Sequence, residues 1–363
     1  MNKKLLALAI GASVAMPALA LADGPTLYGK LNVSLENVED ELGMDPDLAW
    51  PADPAATSAE GWVLRNNASR IGIKGSADTN VDGLKGIYKA EYGVDPDNGA
   101  GPFTQRDIWV GLQGDFGTVL LGNMDTPTKA VQGKVDQFND TTVDMSNHVG
   151  GELRAPNVVA YASPKIADSI VATIALWQGE GVEGAGSNPV AGSYDALEGP
   201  ADAISASVVY DNEGLYLGLG LDSETPRNSG LSNMLPIFVP VPAYVDTTRL
   251  VAGYNTDEFE VGFLYGTQEG ATTGSTYEDT SMVVSGAFKT GDWKFKAQYG
   301  MTETDDLLPA AGDQSAEFTM TGIGADYALG KSTTASAFYA VEELDAGGSA
   351  ERTVLSFGLE QKF

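Results

Sequence analysis

The sequence predicts an all-β fold: a closed, antiparallel transmembrane β-barrel of sixteen strands. Three observations carry that expectation. Apolar and polar residues alternate with period two in many short segments. The segments are joined alternately by short polar turns and by long loops. The composition is rich in turn and interfacial residues, with 44 glycines, 14 tyrosines and no cysteine in 363 residues. A strand with one face on lipid and the other on water has to alternate in this way. An exported chain without cysteine has to hold together without disulfides.

The chain opens on Met1-Asn2-Lys3-Lys4 followed by an almost uninterrupted apolar run from Leu5 to Leu19, and it closes that run on Ala18-Leu19-Ala20-Leu21-Ala22. A basic start, a short apolar stretch and small residues at the end form a secretory signal peptide. The run is too short for a membrane span, which needs roughly 20 apolar residues. Residues 1–22 are therefore expected to be removed, although a cut after Ala20 also fits, and 23–363 to form one barrel domain.

Period two is clearest at residues 293–301, where Trp293, Phe295, Ala297, Tyr299 and Met301 share one face and Lys294, Lys296, Gln298 and Gly300 the other. No helical face sorts them so. Phe259, Val261, Phe263 and Tyr265 oppose Glu260, Gly262 and Gly266; Leu215, Leu217, Leu219 and Leu221 oppose Tyr216, Gly218, Gly220 and Asp222. The first mature segment sets Leu27, Leu31, Val33 and Leu35 against Tyr28, Lys30, Asn32 and Ser34. Sixteen such segments start near residues 25, 61, 81, 104, 117, 155, 166, 202, 214, 246, 257, 279, 291, 315, 331 and 351. Short turns include 211–214, 255–258, 290–292 and 329–331. Long connections fall near 38–60, 94–103, 125–154, 179–200, 223–245, 269–278, 302–314 and 344–350. Eight long and seven short connections suit sixteen strands whose alternate hairpins face outside. A soluble β-sandwich shares period two but not this alternation.

The formal charge is −29, and loss of Lys3 and Lys4 leaves 19 basic against 50 acidic residues, a mature charge of −31. Such a balance excludes nucleic acid as a partner, because phosphate contacts need clustered Lys and Arg. No cysteine means no thiolate metal site or cysteine nucleophile. No G-x-S-x-G or G-x-x-x-x-G-K-[ST] pattern occurs, nor the spacing of an EF-hand. The single histidine, His148, lies in a long loop. No catalytic residue, metal or cofactor is predicted.

Several stretches resemble the Gram-negative general porins, the trimeric sixteen-stranded diffusion pores, and the likeness covers essentially the whole chain. They are Thr26-Leu27-Tyr28-Gly29-Lys30-Leu31, Ser69-Arg70-Ile71-Gly72-Ile73-Lys74-Gly75 and Gly83-Leu84-Lys85-Gly86-Ile87-Tyr88. Then come Gln105-Arg106-Asp107-Ile108-Trp109-Val110-Gly111-Leu112, Gly114-Asp115-Phe116-Gly117-Thr118-Val119 and Leu121-Gly122-Asn123-Met124-Asp125-Thr126-Pro127, with Phe357-Gly358-Leu359-Glu360-Gln361-Lys362-Phe363 at the end. Each is short; their order and spacing make the likeness specific.

The resemblance implies that the third extracellular loop, here about Asp125 to Arg154, folds into the lumen. Its carboxylates Asp136, Asp140, Asp144 and Glu152 would then face a basic wall. The resemblance places Arg70 and Arg106 in that wall; alternation adds Lys30, Lys74, Lys85 and Lys89, and Arg154 stands near the loop's end. Opposed charges across a narrow neck order water and disfavour apolar solutes. Phe363 would be the signal read by the barrel-assembly machinery. Outer-membrane lipid, lipopolysaccharide and two further copies of the chain are the other implied partners. Two departures stand out: Ala160 precedes Tyr161 where the family often has arginine, and no Pro-Glu-Phe-Gly-Gly-type loop tip is present. Arg106 also conflicts with simple alternation, which would set it with Ile108, Val110 and Leu112 unless a bulge shifts the phase.

The function expected is passive diffusion of ions and small hydrophilic solutes across a Gram-negative outer membrane, with mild cation preference from the acidic excess. The alternatives are a substrate-specific channel using aromatic residues such as Tyr28, Trp177 and Tyr216, and a secreted soluble β-rich binding or adhesion protein.

Overall fold

The computed structural model describes residues 24–43, 58–97, 103–178, 201–227, 244–271, 275–305 and 315–363. The expected signal peptide lies outside them. Seventeen strands follow in order: β1 (Gly24–Asp40), β2 (Ala59–Asn66), β3 (Arg70–Asp78), β4 (Lys85–Gly93), β5 (Thr104–Gly114), β6 (Gly117–Asp125), β7 (Arg154–Ala162), β8 (Ile170–Trp177), β9 (Ala203–Asn212), β10 (Leu215–Pro226), β11 (Tyr244–Asn255), β12 (Phe259–Gly270), β13 (Glu278–Thr290), β14 (Trp293–Asp305), β15 (Ala316–Ala328), β16 (Thr333–Asp345) and β17 (Ser349–Lys362). A short helix, α1 (Pro127–Ala130), and a 3-10 turn, Met145–Asn147, lie between β6 and β7.

Every strand pairs antiparallel with its neighbours, and β1 returns to β17 from Lys30↔Lys362 to Asp40↔Arg352, which closes the sheet. The wall has sixteen strands, because β2 and β3 run end to end along β1: Asp40↔Ala59 to Val33↔Asn66, then Lys30↔Arg70 to Gly24↔Ser76. The interruption falls at Ala68, whose φ is +50. Side chains replace the missing ladder there. The Ser69 hydroxyl accepts from the Asn32 N–H at 2.9 Å, and the Asn67 amide donates to Ser34 at 3.0 Å. Closure leaves no sheet edge, so every strand's backbone is satisfied without water, the condition for crossing a bilayer.

The expected sides of the sheet hold. Leu215, Leu217, Leu219 and Leu221 point outward, as do Phe259, Val261, Phe263 and Tyr265, while Gly220, Asp222, Glu260 and Gln268 point in. A broad belt of exposed Leu, Val, Ile and aromatic side chains surrounds the barrel, far beyond the apolar patches a soluble protein tolerates. At the short-turn end the belt ends in aromatics: Trp293 stacks on Phe295 at 5.7 Å and meets Tyr327 at 4.7 Å, and Phe259 meets Phe288 at 5.1 Å. Such girdles sit at the boundary between lipid and water. Phe363 belongs there too; its N–H donates to Gly29 O at 3.1 Å and its carbonyl accepts from Gly29 N–H at 3.0 Å. A Cβ on Gly29 would lie 2.6 Å from the Phe363 ring, so this corner needs glycine.

Loop lengths depart from strict alternation at two places. The last loop, expected over 344–350, is only residues 346–348, while the turn 163–169 is longer than that loop. A two-faced strand extends as long as its alternation does, so β16 and β17 run further toward the loop end than turn residues alone suggest. The inner wall also departs from uniform polarity. Buried apolar clusters lie inside the barrel, one around Leu264, Val283, Val251 and Val209, another around Phe318, Met320, Phe338 and Val354. What covers them is the segment between β6 and β7.

Candidate pore constriction

That segment, residues 126–153, lies against the inside of the wall. It begins with a cap, the Thr126 hydroxyl accepting from the Lys129 N–H at 3.0 Å. Thr128 then meets Ser205 of β9, its N–H donating to the serine hydroxyl at 3.2 Å. The Val131 carbonyl accepts from the Tyr216 hydroxyl at 3.1 Å, and the Val135 carbonyl from Ser285 of β13. The Gln137 N–H donates to Gln298 of β14 at 2.7 Å, and Phe138 packs edge-on to Phe338 at 5.4 Å. On the way back His148 Nδ1 meets the Thr302 hydroxyl at 2.9 Å. Arg249 of β11 reaches Glu152 at 2.6 Å. Val131, Val135, Phe138, Val143, Met145 and Val149 fill the two apolar clusters of the wall.

Inward glycines make room for the loop. Cβ atoms on Gly262, Gly300 and Gly322 would lie 2.9 Å from Val135 Cα, 2.6 Å from the His148 ring and 2.9 Å from the Phe138 ring. Any larger side chain there would displace backbone or a buried ring. The alternation of glycine with leucine and aromatic residues along β10, β12, β14 and β15 therefore encodes a groove.

The four expected loop carboxylates have different places. Asp140 alone meets the basic wall, 2.8 Å from Lys30 and 3.1 Å from Arg70. Burial pushes its carboxyl up, but Arg70 and Lys30 outweigh that and hold it below the ordinary range. Asp140 sits at φ +62, and Asp144 supports that turn by accepting its N–H at 2.6 Å. Asp136 binds the loop to itself, accepting from the N–H groups of Phe138 and Met145 at 2.9 and 3.0 Å. Burial, with Asp144 beside it, raises its carboxyl well above the ordinary range. Glu152 is buried against Arg249 and lies 3.7 Å from Lys129, and burial leaves its carboxyl raised. The opposed acidic ring thus reduces to one residue, Asp140, because Asp136 and Asp144 fold the loop on itself and Glu152 docks it to Arg249.

On the other side, Lys89, Arg106 and Arg154 are interleaved with acids of the same wall. Arg106 Nε lies 2.7 Å from Glu91, Lys89 2.7 Å from Asp107, and Arg154 2.8 Å from Asp107 and 2.9 Å from Asp125. Tyr28 donates to Glu91 at 2.8 Å, and Lys74 lies 4.9 Å above the Tyr28 ring. Lys85 stands apart from this belt: it is at the turn end of β4, half exposed and 3.7 Å from Asp78. Its distance in sequence from Lys89 is four residues, which along an extended strand is roughly 13 Å.

Arg106 enters the lumen through a bulge. Ala90 faces Ile108 but Tyr92 faces Gln105, so Glu91 opposes both Arg106 and Asp107, and both point inward. A second bulge between β6 and β7, with Asn157 at φ +57, brings Arg154 beside Asp125. Ala160 lies in an inward apolar patch with Leu120, Ala175 and Trp177. The patch also holds Trp109, so Trp177 is covered, and Tyr216 lies under the loop. Tyr28, Trp177 and Tyr216 therefore form no continuous track.

Sequence reading missed Glu91, Asp107, Asp125 and Arg249. Glu91 shares parity with Lys89, and this signal was available. Asp107 likewise shares parity with Trp109, opposite the outward Val110 and Leu112, whereas Asp125 depends on the second bulge and was not separable from an outward position by pattern alone.

The model of the family described as Gram-negative porin matches residues 6–347. The chain is 24% identical over 375 residues to the major outer membrane protein P.IB of Neisseria lactamica, covering all of both chains. It is 31% identical over 173 residues to P.IA of Neisseria meningitidis serogroup C, covering 45% of this chain and 43% of that protein. Among solved structures it shares its fold with the anion-selective porin from Comamonas acidovorans, with a TM-score of 0.65, 20% identity and coverage of 94% and 99% of the two chains. Salmonella typhi OmpF is similar too, with a TM-score of 0.63, 13% identity and coverage of 94% and 98%. A closed, lipid-belted barrel with a loop docked inside it, matched along nearly its whole length by one family model, belongs to the Gram-negative porins and resides in the outer membrane.

Proposed function

We propose that this outer-membrane porin is a passive diffusion pore for ions and small hydrophilic solutes, mildly cation-preferring and catalysing no reaction. The observation that carries the reading is the loop lying flat along the wall from β9 round to β1, with the charged pair of Asp140 and the Lys30–Arg70 wall at its far end. A charged, polar neck passes hydrated ions and disfavours apolar solutes. Because the belt around Glu91, Asp107 and Asp125 is pairwise matched, the cation preference comes from the acidic excess at loops and turns and is screened by salt. The anion selectivity named for the Comamonas protein is a property of that relative, with which this chain shares a fold at 20% identity.

Residues 1–22 act as a cleaved signal peptide. Phe363, at the turn-side girdle, serves as the assembly signal. The mature barrel works as a homotrimer among outer-membrane lipids and lipopolysaccharide; the similarly folded OmpT of Vibrio cholerae has been solved in a trimer form. Purified protein inserted in a planar bilayer is expected to give stepwise, ohmic conductance and a reversal potential of cation sign across a salt gradient. A folded barrel without conductance would overturn the pore, and a clear chloride preference the cation reading.

A further inference from the structure

At the turn end of the lumen, below the docked loop, three lysines converge on one carboxylate. Glu260 is the first inward residue of β12, Lys289 the last of β13 and Lys294 the first of β14, with Lys289 directly opposite Lys294 in register. Lys134 comes from the loop, next to Val135 in its glycine groove. Lys289 lies 2.6 Å and Lys134 3.7 Å from Glu260 Oε1, and Lys294 2.9 Å from Oε2. The lysine side chains are 32%, 42% and 31% exposed, whereas Glu260 is 5% exposed. Lys296 next to them is matched by Asp326 at 3.0 Å.

We propose that Lys134, Lys289 and Lys294 form a binding subsite for small doubly charged oxyanions, distinct from the Asp140 neck and resting on the pore reading above. Three ammonium groups share one carboxylate here, in a chain with only 21 basic residues against 50 acidic. Each ammonium has three N–H donors, and Glu260 takes up only a few of the nine. Like charges brought this close repel unless an anion sits among them. A dianion such as phosphate would cancel the formal excess of two charges and accept the remaining donors; lysine binds phosphate as a mobile point charge. The neck lacks this excess, because its cations alternate with Glu91, Asp107 and Asp125.

The test is single-channel current of the full-length mature protein in low-salt KCl, with inorganic phosphate titrated from each side in turn. A saturating fall in current is expected, with nitrate at equal ionic strength giving none. Lys134→Gln with Lys294→Gln should raise the half-saturating phosphate concentration about tenfold, and Glu260→Gln, which removes the competing carboxylate, should lower it by a similar factor. Heat-modifiable gel migration shows that each variant is folded. Conductance that never saturates with phosphate, or a half-saturation unmoved by Glu260→Gln, overturns the subsite and leaves the pore reading intact. Absence of any conductance overturns both.

Discussion

Replacing Asp140 by Asn isolates the charge of the neck. The amide keeps the shape and the N–H bond to Asp144, and Asn tolerates the φ of +62, so the turn should survive. What changes is one charge facing two cations at 2.8 and 3.1 Å; Lys30 retains Glu360 at 3.2 Å, and Arg70 is released toward the lumen. For an ion passing at ~6 Å in a water-filled neck, a unit charge is worth about 0.7 kcal/mol. That lowers cation occupancy about threefold and raises anion occupancy about threefold, so the permeability ratio should fall by roughly tenfold at low ionic strength. At 1 M salt the Debye length is about 3 Å and the change should nearly vanish. The assay is the reversal potential across a KCl gradient, run at low and high mean salt. An unchanged reversal potential at low salt would show that Asp140 does not face the ion path. A shift that persists undiminished at 1 M would mean that the loop has moved and the neck has changed shape. Acidification alone should not mimic the substitution above pH 4. Asp140 is a carboxyl with a depressed folded value, so its contribution is present above 3.8 and is lost only as pH falls through the lower value.

Phe138→Ala removes a fully buried ring that packs against Phe338 and over Gly322, and should cost about 3–5 kcal/mol of loop docking, read as increased open-channel current noise; a quiet channel of unchanged conductance would show that the ring does not hold the loop. Arg249→Met leaves Glu152 buried without its 2.6 Å partner and should destabilise the loop by about 3–5 kcal/mol, measured as faster proteolysis of the 126–153 segment in the folded barrel; wild-type resistance would contradict it. His148 is pushed down to about 3 by burial, so between pH 6.5 and about 3 the undocked loop binds more protons, and docking weakens as pH falls. Going from pH 7 to 5 should cost the His148 contribution about 2 kcal/mol, opposed by Asp136 and Glu152, whose raised values favour docking in acid. His148→Asn should abolish the weakening part, seen in amide hydrogen exchange of the loop; identical pH dependence in both proteins would refute it.

Much of the barrel was legible because lipid imposes a local rule. Trp293, Phe295 and Tyr299 lie outward and Lys294, Lys296 and Gln298 inward, as their parity requires, and the sixteen wall strands follow from counting such runs. Parity also placed Lys30, Lys74 and Lys89 on the inner side, and the family resemblance placed Arg70 there. It failed where the ladder slips. The bulge at Glu91 brings Arg106 inward beside Asp107, which parity with Trp109 already sets there, and no period-two reading distinguishes a residue before such a slip from one after it. Lys85 shared the right parity yet stands at the strand's exposed end, since parity fixes the face and not the height.

The sequence by itself determined the fold class, the outward belt and the approximate strand positions, since each depends on neighbours two residues apart and on the solvent each face meets. Only the tertiary structure decided the neck. Asp140 lies 110 residues from Lys30 and 70 from Arg70 along the chain. Which of four similar carboxylates reaches them depends on how Val135, Phe138 and His148 fit the glycine groove opposite. Docking is set by shape complementarity between distant segments, and alternation within one strand carries no information about it.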